Sequence, residues 1–164
     1  NVIRIYYQGE YKVVYDLNGG TTTSEQTAFG GLHKGDATPT IDDPTRAADD
    51  ACTYKFAGWN PTVSGTVTGN ATYVAQWTPV YKIFRVTYDW GTPDKAVTDV
   101  YTLPTDTRDY HYNDTYQAVT TSYGRVETTD QYGNVNGYYS FSGWSPAEGT
   151  ITGDVTITGE WTYT

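Results

Sequence analysis

The chain has 164 residues, of which 10 are basic and 19 acidic, for a formal net charge of -9. A scattered acidic balance argues against nucleic acid and against an anionic membrane surface as partners, and no run nears the roughly 20 apolar residues of a membrane span. Leu, Ile, Val and Phe number only 27, too few for an aliphatic core, but the 26 aromatic residues can each bury roughly 150–250 Å², so the core has to be aromatic.

Length predicts one domain or two small ones. Met is absent even from position 1, so an excised fragment is expected. No charged-then-apolar amino terminus of a signal peptide is present in the sequence as given. Cys52 is the single cysteine, which rules out an intrachain disulfide and leaves the compartment open.

With 30 Thr, 14 Val, 6 Ile and 17 Tyr, the composition is that of a mainly β protein, because branched and aromatic side chains fit a pleated, half-buried surface. A small α+β fold is the variant. Residues 1–10 read as a leading strand and turn, belonging to the first unit or to the tail of an upstream one. In the strand that follows, Tyr11, Val13, Tyr15 and Leu17 share a face. Asn18-Gly19-Gly20 signals a turn. Pro44 to Ala51 is the only helix candidate, with Asp43 as N-cap, and an irregular acidic loop is at least as good a reading. Gly58 and Gly143, each before a Trp, mark a bulge or a close backbone approach. Ala71, Tyr73, Ala75 and Trp77 share a face of a later strand, Gly69-Asn70 being the turn before it. Thr78-Pro79-Val80 reads as a short, restrained seam. Phe84, Val86, Tyr88 and Trp90 then share a face, and so do Val155, Ile157, Gly159 and Trp161. Asp130 to Gly137 reads as a hairpin turn.

The chain repeats itself. YKFAGWNP at 54–61 matches the last eight residues of YYSFSGWSP, which ends at 146. GTVTGNATYVAQWT at 65–78 matches GTITGDVTITGEWT at 149–162, with seven of fourteen positions identical. YKVVYDLN at 11–18 matches FRVTYDWG at 84–91. The units are 11–78 and 81–164, and the second carries about 12 more residues between its Tyr and its Trp, expected in the variable stretch before Tyr138. Tyr15, Phe56, Trp59 and Trp77 should form one core, and Tyr88, Phe141, Trp144 and Trp161 the other.

DLNGG at 16–20, DPTR at 43–46, YKFAGW at 54–59 and TGNATYVAQW at 68–77 together make the first unit resemble the internalin-type B-repeat, also called the Listeria–Bacteroides repeat, of bacterial surface proteins. The second unit keeps VTYDWG, YSFSGW and TGDVTITGEW but lacks NGG and DPTR. Its end also resembles the SHIRT-type tandem repeats of streptococcal surface rods. Both resemblances imply compact, β-grasp-like modules in the ectodomain of a cell-surface or secreted bacterial protein. Neither family brings catalytic residues.

Signals of chemistry are sparse. The HExxH, GxSxG, GxGxxG, P-loop and CxxC motifs are all missing. Asp106, Asp109, His111 and Asp114 form the best catalytic-looking cluster, but their spacing fits no metal template. Asp42-Asp43 and Asp49-Asp50 could bridge a calcium ion, yet a solvated acidic loop is the simpler reading. Asn70 and Asn113 fit the N-glycosylation pattern and are expected to be bare in a bacterial protein. Cys52 is read as a packing residue. Tyr110, Tyr112, Tyr116, Tyr123, Tyr132, Tyr138 and Tyr139 crowd the divergent part of the second unit. If exposed, they would offer contact area at low entropy cost, with Tyr110, Tyr112 and Tyr116 as candidate ligand-binding residues. Cross-strand packing is the alternative.

The expectation is therefore a non-catalytic pair of repeat modules, acting as a stalk in an adhesin-like ectodomain. No cofactor or metal is expected. The expected partners are adjacent repeats of a parent protein and a host glycan or protein, with no nucleic acid, no membrane insertion and a monomeric state. The rival expectation is a carbohydrate- or protein-binding module that uses the Tyr-rich insert.

Overall fold

The computed structural model describes residues 2–3, 9–92 and 97–164. The leading strand expected in residues 1–10 falls mostly on residues outside these. The chain divides into two units, Asn1–Tyr81 and Lys82–Thr164.

The first unit is a four-stranded mixed sheet. Its strands are β1 (Tyr11–Asp16), β2 (Ala28–Leu32), β3 (Cys52–Asn60) and β4 (Ala71–Tyr81), in the order β2-β1-β4-β3. β1 and β4 are parallel neighbours at the centre, and each carries an antiparallel partner on its outer side. This is the β-grasp order. The alternation in sequence decides which face is dry: Val13, Tyr15, Tyr73 and Ala75 are all buried, while Lys12, Asp16 and Thr72 are exposed. Extended segments cover the dry face. The Tyr15 hydroxyl donates to the carbonyl of Pro39 at 2.6 Å, and Ile41, Val63 and Val67 pack against the core.

Residues 44–51 form no helix. Thr45 instead pairs with Thr21 through two backbone hydrogen bonds of 2.7 and 2.8 Å. The segment has no apolar stripe to bury as a helix, so extended pairing prevails. At its end Asp49 Oδ1 accepts the backbone N–H groups of Ala51 and Cys52 at 3.0 and 2.7 Å and caps the start of β3. Asp42 is likewise engaged, taking the Thr23 hydroxyl at 2.8 Å.

The expected seam is not a linker. Thr78, Pro79 and Val80 are the last part of β4 and pair with Lys55, Tyr54 and Thr53. β1 flanks β4 only from Ala71 to Val74. Pro79 therefore stands where one flank is an edge, a place that tolerates its missing N–H.

The second unit contains β5 (Val86–Asp89), β6 (Thr115–Gln117), β7 (Val126–Thr129), β8 (Val135–Ser145), β9 (Glu148–Thr150) and β10 (Val155–Tyr163). Its main sheet has the order β5-β10-β8-β7, and β6 pairs with β9 in a two-stranded sheet. β5 and β10 are the parallel pair, matching β1 and β4. Among the described residues the counterpart of β2 is one bridge, Phe84 with Tyr110. The sheet grows instead on its other edge, where β7 and β8 form the expected hairpin. Asp130 Oδ1 accepts the backbone N–H groups of Tyr132 and Asn134 at 2.9 Å each and closes that turn. A helical turn at Val97 and Thr98 buries Val97 completely.

The expected aromatic residues touch one another with similar spacing in both units, but only the second gathers all four at its core. In the first, Tyr15 and Trp59 join a core of Val13, Val67 and Tyr73, and Phe56 and Trp77 are half-buried outside it. Tyr15–Trp59, Phe56–Trp59 and Phe56–Trp77 ring centroids are 4.8, 5.2 and 5.7 Å apart. Tyr88–Trp144, Phe141–Trp144 and Phe141–Trp161 are 5.0, 5.2 and 5.0 Å apart. All six of these contacts are edge-to-face, the arrangement the ring quadrupoles favour. The bulges at Gly58 and Gly143 are also as expected. The ladder slips between Phe56 and Trp59 and opposite Gly143, and both glycines have positive φ, 101° and 148°. The extra residue lets Phe56 and Trp59, three apart, point to one face.

Candidate functional site

The feature both units build with most care is the parallel pair of terminal strands. In each unit four residues face four across that ladder: Val13 to Asp16 against Ala71 to Val74, and Val86 to Asp89 against Val155 to Thr158. Side chains then clip the ladder at both ends. At the start, the Lys12 N–H donates to Asn70 Oδ1 at 2.8 Å, and the Arg85 N–H donates to Asp154 Oδ1 at 2.9 Å. At the far end, the Trp77 indole N–H donates to the carbonyl of Leu17 at 3.2 Å, and that of Trp161 to the carbonyl of Trp90 at 2.8 Å. The first unit adds a bond of 3.0 Å from the Asn18 amide to the carbonyl of Ala75. The second Gly of NGG is required here, since a Cβ on Gly20 would overlap the Trp77 ring and come within 2.8 Å of the Thr45 carbonyl.

A second shared device escaped the alignment of blocks. His33-Lys34-Gly35-Asp36 and His111-Tyr112-Asn113-Asp114 form the same turn. Asp36 and Asp114 each accept the N–H of the His three residues earlier, both at 2.7 Å, through Oδ2. Gly35 and Asn113 take positive φ, 93° and 70°. Their N–H groups donate to Val67 and Ile151, both at 2.8 Å, which are equivalent positions in the aligned GTxTG segments. The signal available in sequence was H-x-x-D, two residues in four.

These anchors divide the extra length of the second unit. From Tyr to His the first unit spans 18 residues and the second 23; from His to Trp they span 26 and 33. The excess is thus shared between two places, one on each side of His111.

The structure disperses the acidic cluster of the second unit. Asp106 is clamped by the Arg108 guanidinium at 2.7 and 2.9 Å and takes the Tyr110 hydroxyl at 2.6 Å. The Arg108 hydrogen bonds hold its carboxyl well below the usual carboxylate range. Burial first, and then the bond to Asp106, push the Tyr110 phenol up to about 12. Asp109 pairs with Arg85, and Asp114 belongs to the His111 turn. Among the described residues no group of three or more His, Cys, Asp or Glu is placed to hold a metal ion.

Two of the three candidate ligand-binding tyrosines are core residues. Tyr110 and Tyr116 are only 4% and 8% exposed, and Tyr112 is half-buried. Tyr110 is drawn in by its bridge to Phe84, and Tyr116 lies in β6 against Gly149 of β9. Of the seven tyrosines in the divergent stretch only Tyr132, at the tip of the β7–β8 hairpin, is exposed. Tyr138 carries Arg125 over its ring at 4.6 Å, and Tyr139 packs on Tyr163 at 4.8 Å. Cross-strand packing accounts for these rings.

The second unit has more than one cleft, and one of about 600 Å³ is lined by Arg108, Tyr116, Gln117 and Glu148. Another, of about 440 Å³, runs under the segment from Gln117 to Tyr123, floored by Phe141, Gly143 and Trp144. Gln117, Thr120, Thr121 and Ser122 on its wall are exposed. Burial pushes the Tyr123 phenol up.

No family model matches the chain, and no curated protein matches it. A solved structure of streptococcal high identity repeats in tandem (SHIRT) domains 3–4 from a cell surface protein is similar at 23% identity. The match covers 94% of this chain and 98% of that one, with a TM-score of 0.43.

Proposed function

We propose that the chain is a pair of non-catalytic spacer modules from the extracellular part of a bacterial surface or secreted protein. The observation that carries this reading is the parallel pairing of first and last strands. Because β1 and β4 run the same way side by side, a unit begins at one end of its sheet and finishes at the other. The same holds for β5 and β10. Modules of this kind can be strung head to tail so that length grows with copy number. The motifs shared with bacterial surface repeats point the same way, with neighbouring repeats of a parent protein as the partners.

Severing the chain between Tyr81 and Lys82 tests the proposal. Both halves should fold alone and melt independently, as followed by circular dichroism and calorimetry. An unfolded half would count against the spacer reading.

The cleft beside Trp144 favours a second reading, in which the second unit binds a host glycan or protein. A screen of the whole chain against glycans and matrix proteins, with and without calcium, addresses it. Saturable binding that is lost when Gln117, Thr120 and Ser122 become Ala would make this unit a binding module. No binding by well-folded protein would leave the spacer reading alone.

A further inference from the structure

A chain that spaces two points apart also carries any tension between them. In each unit the first and last strands are adjacent and parallel. A pull on the two ends of a unit therefore drives these strands in opposite directions along their common ladder. All the rungs are then loaded together. Strands opened from one end would instead lose their rungs one after another.

We propose that the β1–β4 and β5–β10 pairs are force-bearing clamps, and that the side-chain clips at their ends are part of the clamp. Three observations carry this. The ladder has the same four-residue register in both units. Each ladder is extended at its start by a carboxamide or carboxylate oxygen, from Asn70 or Asp154, on the backbone N–H of the opposite strand. Each is extended at its far end by an indole N–H, from Trp77 or Trp161, on an opposite carbonyl. Val13, Tyr15, Asp16 and Thr72 recur in the second ladder as Val86, Tyr88, Asp89 and Thr156. The other ladder residues change, Tyr73 to Ile157 and Ala71 to Val155 among them, and the clips hold across those changes. Holding the lower and upper ends to the partner strand adds rungs where sliding would start. The inference deepens the spacer reading and rests on it for its use, although the shear geometry is a property of each unit alone.

Single-molecule force spectroscopy on the whole chain, stretched from its two termini, provides the test. Two unfolding events are expected, one per unit. A second attachment geometry uses Ile83→Cys with Gly153→Cys in a Cys52→Ser background. Ile83 is exposed and Gly153 has open space for a Cβ. These positions precede β5 and β10 at the same end of the pair, so a pull there opens the ladder rung by rung. The second unit should then yield at about half the terminal force or less, since forced rupture follows the height of the unfolding barrier. Asn70→Ala should weaken only the first event, and Asp154→Ala only the second. Trp161→Phe, which keeps the ring and removes the N–H, should weaken the second event even if Asp154→Ala folds poorly. Equal rupture forces in the two geometries would overturn the clamp, as would clip variants that leave the force unchanged. A single joint event in place of two would overturn independent spacer units while still reporting on the clamp.

Discussion

The two units agree along one line and differ on either side of it. Terminal strands, their clips, the Tyr–Trp–Phe–Trp chain, the glycine bulge and the His–Asp turn are common to both. The outer edges are not. The first unit keeps a five-residue β2 beside β1, whereas the second, among the described residues, has one bridge there and adds β7 on the opposite edge. The lesson is that this fold is specified by its central pair and by what locks that pair. Its edges can be rebuilt around them.

The largest consequence of the difference concerns Trp90, which stands where the first unit has Leu17. Trp90 is fully buried and stacks on Trp144 at 5.3 Å, with Tyr123 at 5.0 Å and Tyr101 at 6.4 Å around it. Leu17 is only partly buried. Trp90→Ala should cost the second unit roughly 3–5 kcal/mol, enough to unfold it alone, while Leu17→Ala should cost the first about 1 kcal/mol. Denaturant titration that resolves the two transitions would measure both. Similar losses would mean that the aromatic enclosure of Trp90 adds nothing.

Gly58→Ala and Gly143→Ala probe what the units share. Positive φ at both bulges should make each substitution cost about 1–3 kcal/mol, in its own unit and by similar amounts. A large cost in one unit alone would show that the bulge is needed only there.

The acid response should separate the units again, whereas on the alkaline side the first unit also has a phenol raised by burial, Tyr15. The depressed carboxyl of Asp106 contributes stability that is complete above the ordinary carboxylate pKa of about 4. That contribution fades as the pH falls below this value toward the lower folded one. Tyr110, raised to about 12, contributes stability below the ordinary phenol pKa of about 10 that is lost as the pH rises through the folded value. The second unit should thus lose stability at both extremes, and Asp106→Asn should flatten its acid limb. An acid limb unchanged by that substitution would exclude the Asp106 clamp as its source.

The smallest effect expected is at the turns. Asp36→Ala and Asp114→Ala each remove one carboxylate-to-backbone bond at an exposed site and should cost about 1 kcal/mol. The loss should be equal in the two units if the turns are truly equivalent.

The common line was largely legible in the residues, because it is where identities recur and where period-two alternation holds. The His–Asp turn was not, since only two of its four residues recur and insertions displace it on both sides. Tyr110 and Tyr116 sit in TDTRDYHYNDTY, a polar string that reads as surface. What buries them is a bridge to Phe84 and pairing with β9, partners distant in sequence. The seam misled for a related reason. Proline marks a break in most strands, and only the stagger of β1 against β4 makes Pro79 acceptable within one.

One residue so far treated as packing gives the first unit a clock. Cys52 is the single thiol of the chain and is buried at the first position of β3, opposite Tyr81 at the last rung of β4. A thiol reagent can reach it only when that corner of the sheet parts. The rate at which a chromogenic disulfide consumes it in native buffer therefore counts openings of the first unit, while the second unit stays silent. The chain thus carries its own reporter for the half that has no buried Trp90 to give it away.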